Sequence, residues 1–129
     1  MPRRLAITAP HRVEVIEYHD RPLRPNEVLV CTEIASGKHG TTLAMMEGVN
    51  FRGQVFDQET RLFLESGPLA DTPPPAVRNT GTTGVGTVVE TGAAVRRWKR
   101  GDRVFGFMDV RETNICAEER LWALGEIHP

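Results

Sequence analysis

The sequence predicts a mainly β domain with one or two short helices, closer to a barrel than to a layered α/β fold. Three observations carry that expectation. Twelve glycines and nine prolines in 129 residues cut the chain into short segments. The segments between them are strand-like, with valine and threonine prominent. No long amphipathic helical pattern and no internal repeat interrupts them. A chain of this length suits one domain, spanning 1–129, with a real hydrophobic core.

Taken in order, Arg12–Tyr18 is the first expected strand, with Val13 and Val15 on one face and Glu14 between them. Arg21–Asn26 carries two prolines and reads as a turn. Glu27–Ala35 is the clearest strand. Val28, Val30, Thr32 and Ile34 fall on one side, and Leu29, Cys31 and Glu33 on the other. Such a mostly two-sided apolar strand is expected inside a barrel or sandwich. Ser36-Gly37-Lys38-His39-Gly40 breaks the pattern. Thr41–Glu47 then suits a short helix, with Thr41 or Gly40 as N-cap and Gly48 ending it.

Between Asn50 and Glu65 neither period fits, and only Arg61–Glu65 reads as a short strand. Ser66–Asn79 contains Pro73-Pro74-Pro75 and reads as a long loop, for which lining a site is one reason to exist. Gly84–Thr91 is a valine- and threonine-rich strand. Gly92 turns it, Arg100-Gly101-Asp102 turns again, and Arg103–Met108 is the next strand. Asn114–Trp122 supplies one more. Gly84 and Gly86 mark places where the strand passes close to another backbone.

Charge and cysteine content narrow the function. Sixteen basic and seventeen acidic residues leave a net charge of −1, so no general pull toward nucleic acid or anionic lipid is expected. The basic run Arg96-Arg97-Trp98-Lys99-Arg100 reads as a solvated turn. Cys31 and Cys116 allow one bridge at most, and a reduced, cytoplasmic protein is the simplest expectation. No secretory signal and no membrane-spanning run is visible.

Gly84-x-Gly86-x-Val88, then Gly92-x-x-Val95-x-x-Trp98-Lys99-x-Gly101-Asp102-Arg103-Val104, resembles the signature of the medium-chain dehydrogenase/reductase family. Pro25-Asn26-Glu27-Val28-Leu29-Val30 is similar to that family's Pro-x-Glu-Val-Leu-Val opening. Ser36-Gly37-Lys38-His39-Gly40-Thr41-Thr42, followed by Gly48, resembles its Gly-x-Cys-Gly-Thr-Asp stretch. The likeness runs from about Arg21 to the C-terminus, with an insert between Val49 and Arg78. It implies a GroES-like, partly open β-barrel, the front domain of a zinc-type alcohol dehydrogenase-like oxidoreductase.

The resemblance also implies chemistry. Many members polarise a substrate oxygen with a catalytic zinc. His39 stands where their first cysteine ligand is, Thr80 where the histidine of Gly-His-Glu is, and Gly81 where its glutamate is. Thr80 and Gly81 are poor zinc ligands, so zinc is not expected, and His39 is the candidate ligand only if zinc is used at all. His39 and Thr41 are the candidate catalytic pair, imidazole and hydroxyl of a proton relay. Local backbone bonding in a glycine-rich loop is the equally open reading of His39. Lys38, Thr42, Asn79 and Thr80 are the candidate substrate-binding residues. Met45, Met46 and Phe51 suit an apolar wall or, more commonly, core packing.

NAD(P) is implied as cofactor of the complete enzyme, held by a Rossmann domain that this sequence does not contain. Gly81-Thr82-Thr83-Gly84-Val85-Gly86 does not supply it: Val89 stands where a third glycine belongs, and a strand follows. The expectation is a fragment inactive alone, completed in cis or in trans, acting on a small-molecule substrate. The alternative is a stand-alone GroES-like barrel serving as a binding or homo-oligomerisation module. Phe51, Phe56, Leu62 and Phe63 would then mark its interface. Substrate identity is not legible.

Overall fold

The computed structural model describes residues 1–47, 54–65 and 78–125. Its elements are β1 (Arg3–Ala9), β2 (Arg12–Glu17), β3 (Glu27–Ser36), α1 (His39–Glu47), β4 (Gln54–Phe56), β5 (Phe63–Glu65), β6 (Arg78–Asn79), β7 (Thr83–Thr91), β8 (Arg103–Gly106), β9 (Thr113–Ala117) and β10 (Leu121–Ala123). The fold is mainly β, as expected.

Five strands form the main sheet in the order β10-β8-β7-β3-β9, all pairs antiparallel. Every one of them contributes to a single core: Val28 and Val30 from β3, Val88 from β7, Val104 from β8, Cys116 from β9 and Leu121 from β10. The two edge strands are joined through one 3-10 turn, Glu118–Arg120. A sheet whose opposite edges share a core and sit three residues apart must curl nearly shut. Among the described residues no ladder joins β9 to β10, so the barrel stays partly open.

Val95 and Trp98 fold the excursion between β7 and β8 back onto this core, and Trp98 Nε1 donates to Glu118 O at 2.9 Å. The basic turn is thereby anchored by carbon and one indole bond, while Glu118 accepts from the Arg96 and Arg97 amides. Gly86 faces β3 so closely that a Cβ would lie 2.3 Å from Cys31 O. Gly101 takes φ +95° in the turn before β8.

A second sheet, β2-β1-β6, docks against the first through the bridge between Arg4 and Arg111 and the bond from Leu5 N to Val110 O. The sequence reading missed β1. Its Leu5, Ala6 and Ile7 run consecutively rather than alternating, because Ala6 and Ile7 are buried in succession. In β2 the alternation is real, yet Val13 and Val15 face outward and Glu14 is half-buried, held by Thr8 and Arg12.

Other expectations need correction. The apolar residues that β3 buries fully, Val28 and Val30, lie on one side; on the other, Leu29 is half-buried and Cys31 exposed. Glu33 is an extra residue in the β3–β7 ladder, and this bulge turns Ile34 outward to 66% exposure. The helix starts at His39, so Gly40 and Thr41 lie within it and do not cap it. Gly48 lies outside the described residues. β8 ends at Gly106, and the single strand expected over Asn114–Trp122 is two, split by the 3-10 turn. β4 and β5 form a hairpin, closed by Asp57, whose Oδ1 accepts from the Glu59 and Thr60 amides. The polyproline segment and Phe51 lie outside the described residues.

Candidate functional site

Three turns meet at one end of the barrel: the exit of β3, the segment between β6 and β7, and the link from β8 to β9. Backbone and side-chain bonds together satisfy their polar groups. Thr82 N donates to Ser36 O at 2.9 Å, and Lys38 N donates to Thr82 Oγ1 at 3.1 Å. Asp109 is buried between apolar Met108 and Val110. Its Oδ1 accepts from the amides of Thr80, Gly81 and Val110 at 2.9, 2.8 and 2.9 Å. Asn114 holds Asp109 from behind, accepting from its amide at 3.0 Å and donating to its carbonyl at 3.1 Å. Gly81 leaves no room for a side chain, since a Cβ would lie 2.5 Å from Asp109 Cα.

Thr80 is the hub of this seam. Its hydroxyl donates to Leu5 O at 3.0 Å, and its carbonyl accepts from Thr42 Oγ1 at 3.2 Å. It therefore ties β1 to α1. His39, Thr42 and Thr80 are brought together and line one pocket of about 460 Å³ with Leu43, Met46 and Val110. Asn79 lies beyond the seam, exposed, on a second pocket of about 610 Å³ lined also by His19, Arg21, Phe107, Asp109 and Arg111. Met45 is on that second pocket too. Lys38 is exposed, and Thr41 is half-buried on the helix; neither lines these two pockets. The six candidate residues thus surround one seam but do not converge on one cavity. α1 buries none of its side chains, so its hold on the domain is light.

The second pocket owes its far wall to residues the sequence reading passed over. Tyr18 OH donates to Thr113 O at 3.0 Å and accepts from Thr113 N at 2.9 Å. Arg111 lies over the Tyr18 ring, 3.9 Å from its centroid, and pairs with Asp20 at 2.9 Å. Arg21 grips Glu27 with both terminal nitrogens, at 2.6 and 2.7 Å. That grip, with the Arg24 amide, holds the Glu27 carboxyl down at about 2. One signal was available for the seam: an aspartate set between Met108 and Val110 invites the question of what satisfies it.

Residues 24–125 match the alcohol dehydrogenase GroES-like domain. The chain belongs to that family. Of curated proteins, the D-guloside 3-dehydrogenase of Escherichia coli (strain K12) is 29% identical, over 88% of this chain and 33% of the relative. The domain therefore spans about a third of the length of the curated relatives it matches. A quinone oxidoreductase from Pseudomonas syringae pv. Tomato DC3000 superposes with a TM-score of 0.69 at 20% identity, over 100% of this chain and 35% of that one. The Escherichia coli quinone oxidoreductase complexed with NADPH gives 0.63 at 18% identity, over 95% and 33%. These likenesses show the fold.

The GroES-like domain can be tested for the groups its family suggests. Among the described residues, no three His, Cys, Asp or Glu side chains gather as a metal site. The Thr80 hydroxyl, at the second ligand position, donates to a backbone carbonyl. This donor set does not fit a zinc. Nor does the glycine-rich segment 81–86 fit a dinucleotide, because its residues from Thr83 onward are the start of β7 and no helix N-terminus follows them. Among the described residues no helix is long and apolar enough to cross a membrane. Both cysteines are free, Cys31 exposed and Cys116 buried. Of the residues expected at a docking interface, Leu62 is exposed, and the side chains of Phe51, Phe56 and Phe63 lie outside the description. The stand-alone binding reading gains nothing from the relatives named here.

Proposed function

We propose that this domain is the substrate-binding part of an NAD(P)-dependent, zinc-independent oxidoreductase that acts on an alcohol or carbonyl group of a small molecule. The observation that supports it is the family match over 24–125, joined to a dehydrogenase relative of about three times the length. The nicotinamide, which exchanges hydride with the substrate carbon, belongs in this reading to a Rossmann domain acting in cis or in trans. What this chain supplies is a floor and a proton path. His39, at the exposed start of α1, carries the proton to or from the substrate oxygen, with Thr41 as the relay hydroxyl. Thr42 and Thr80 keep the helix docked on the seam, with Lys38 exposed beside it and Asn79 on the neighbouring pocket as the further candidate substrate contacts. The net charge near zero and the two free thiols favour a cytoplasmic protein without nucleic-acid or membrane partners.

Cofactor titration of the 129-residue chain, followed by NADPH fluorescence, is the test. No saturable binding is expected; tight binding by this chain alone would overturn the reading. In an enzyme completed by its nucleotide domain, His39→Ala is expected to lower kcat by roughly 10²-fold or more with KM little changed.

A further inference from the structure

The outer face of the main sheet carries an apolar row that the core does not use. Trp122 of β10 pairs with Phe105 of β8, Phe105 with Val85 of β7, and Val85 with Ile34 of β3. Cross-strand partners leave a sheet on the same side. The chain neighbours Leu121, Val104, Gly84 and Gly86 are buried, so this row points away from the core. Trp122, Phe105 and Ile34 are 47%, 37% and 66% exposed, and the two rings stack with centroids 5.7 Å apart. The bulge at Glu33 completes the row, because it brings Ile34 into register with Val85. A polar row runs beside it. Arg103 of β8 reaches over Thr87 of β7 to Glu33 of β3 at 2.7 Å, and Thr87 Oγ1 donates to the same carboxylate at 2.8 Å.

The composition narrows the occupant. The face holds one cation and one carboxylate, already paired, so it has no excess charge for a nucleic acid or an anionic lipid surface. The two pockets described above include none of the four apolar side chains, so a small molecule would find no enclosing walls here. A protein surface remains, and the two rows are graded so as to complement themselves. The aromatic end of one and the cationic end of the other lie on β10 and β8, while Ile34 and Glu33 lie on β3. A twofold axis lying in the face, parallel to the strands and between β8 and β7, reverses both rows at once. Trp122 then meets Ile34 of the second copy, Phe105 meets its Val85, and Arg103 meets its Glu33. The strands of the two copies run the same way, which is the aligned class of sheet packing.

We propose that this face is the contact between two copies of the chain, a face-to-face dimer of the β10-β8-β7-β3 surface. The two exposed rings offer roughly 200 Å² per copy. With the neighbouring aliphatic and polar side chains, the contact buries on the order of 1,000 Å² in total, the lower bound for a specific interface. The dimer is therefore weak. Its apolar rows supply the attraction, and its charges set the register. The contact uses neither His39 nor the two pockets, so it stands or falls apart from the oxidoreductase reading.

The test is sedimentation velocity of the 129-residue chain from about 10 μM to about 1 mM, a range that brackets a weak association. A monomer–dimer equilibrium is expected. Trp122→Ser and Ile34→Thr, both at exposed strand positions, are each expected to weaken it about tenfold or more, with circular dichroism and melting temperature close to the parent's. Arg103→Glu and Glu33→Arg are each expected to dimerise less than the parent, since like charges then face each other. An equimolar mixture of those two variants is expected to recover the dimer, because the acidic face of one meets the basic face of the other. An ion pair that acts only within one chain gives no such recovery. A chain that stays monomeric at every concentration leaves the face to a different protein partner and overturns the proposal. So does a dimer indifferent to Trp122→Ser and Ile34→Thr, or a mixture that associates no better than its components.

Discussion

Cys31 and Cys116 lie on β3 and β9, adjacent strands, yet differ in chemistry because one faces water and the other the core. Burial pushes the Cys116 thiol up to about 11, while Cys31 is exposed. At pH 8, iodoacetamide should therefore modify one thiol in the native protein and two in denaturant, by mass spectrometry. Two fast thiols in the native state would contradict the burial. Glu27 makes the opposite case. Arg21 and the Arg24 amide hold its carboxyl at about 2, against 4.5 in an unhindered glutamate. A depressed folded-state value stabilises the fold above the unfolded one, and the contribution is lost as pH falls. The loss should run from about pH 4.5 to pH 2. Glu27→Gln should cost about 2 kcal/mol at pH 7 and flatten stability across that window in chemical denaturation.

At the scale of elements, the contrast is between β7 and α1. Gly86 in β7 abuts Cys31 O and the Val30 side chain, and it belongs to the longest ladder among the described residues. Gly86→Ala should force the strands apart and cost roughly 1–3 kcal/mol in a thermal or urea melt. α1 buries none of its side chains fully, and Leu43 is half-exposed. Leu43→Ser should stay within about 0.5 kcal/mol of the parent. A large loss there would mean that the helix is part of the cooperative core. The seam between these elements depends on Asp109. Asp109→Ala strands three amides at once, and should cost about 3 kcal/mol and loosen hydrogen-exchange protection at Thr80 and Gly81 first.

For the whole molecule, the decisive feature is that both edges of the curled sheet reach the same core. Leu121 on one edge strand is fully buried together with Val88 and Val104 in the centre. Leu121→Ala should lower stability by about 2–5 kcal/mol and shift the entire melting transition, not a subset of strands. A biphasic melt would show that the barrel and the β1–β2 hairpin unfold separately. The same curl leaves one end open, where the seam and the two pockets lie. The surface proposed to bind substrate and the core that holds the fold are thus drawn from different parts of the domain.

Local chemistry made much of this legible from residues alone. The valine alternation of β3 and β7, the turns at Gly92 and Gly101, the close approach at Gly86 and the anchoring of Val95 and Trp98 all follow from side-chain shape and backbone sterics over a few neighbours. The family signature added the barrel. What the sequence could not reveal are contacts between distant residues. The bulge at Glu33 that turns Ile34 outward needs a partner strand, and the consecutive burial in β1 needs a second sheet. Tyr18 meets Thr113, and Asp109 meets Thr80, only because the barrel curls. Whether His39 and Asn79 share a cavity was likewise settled by packing. Spacing along a chain sets which way a side chain leaves its own strand; only the curl of the sheet and its packing on the second sheet set what it finds there.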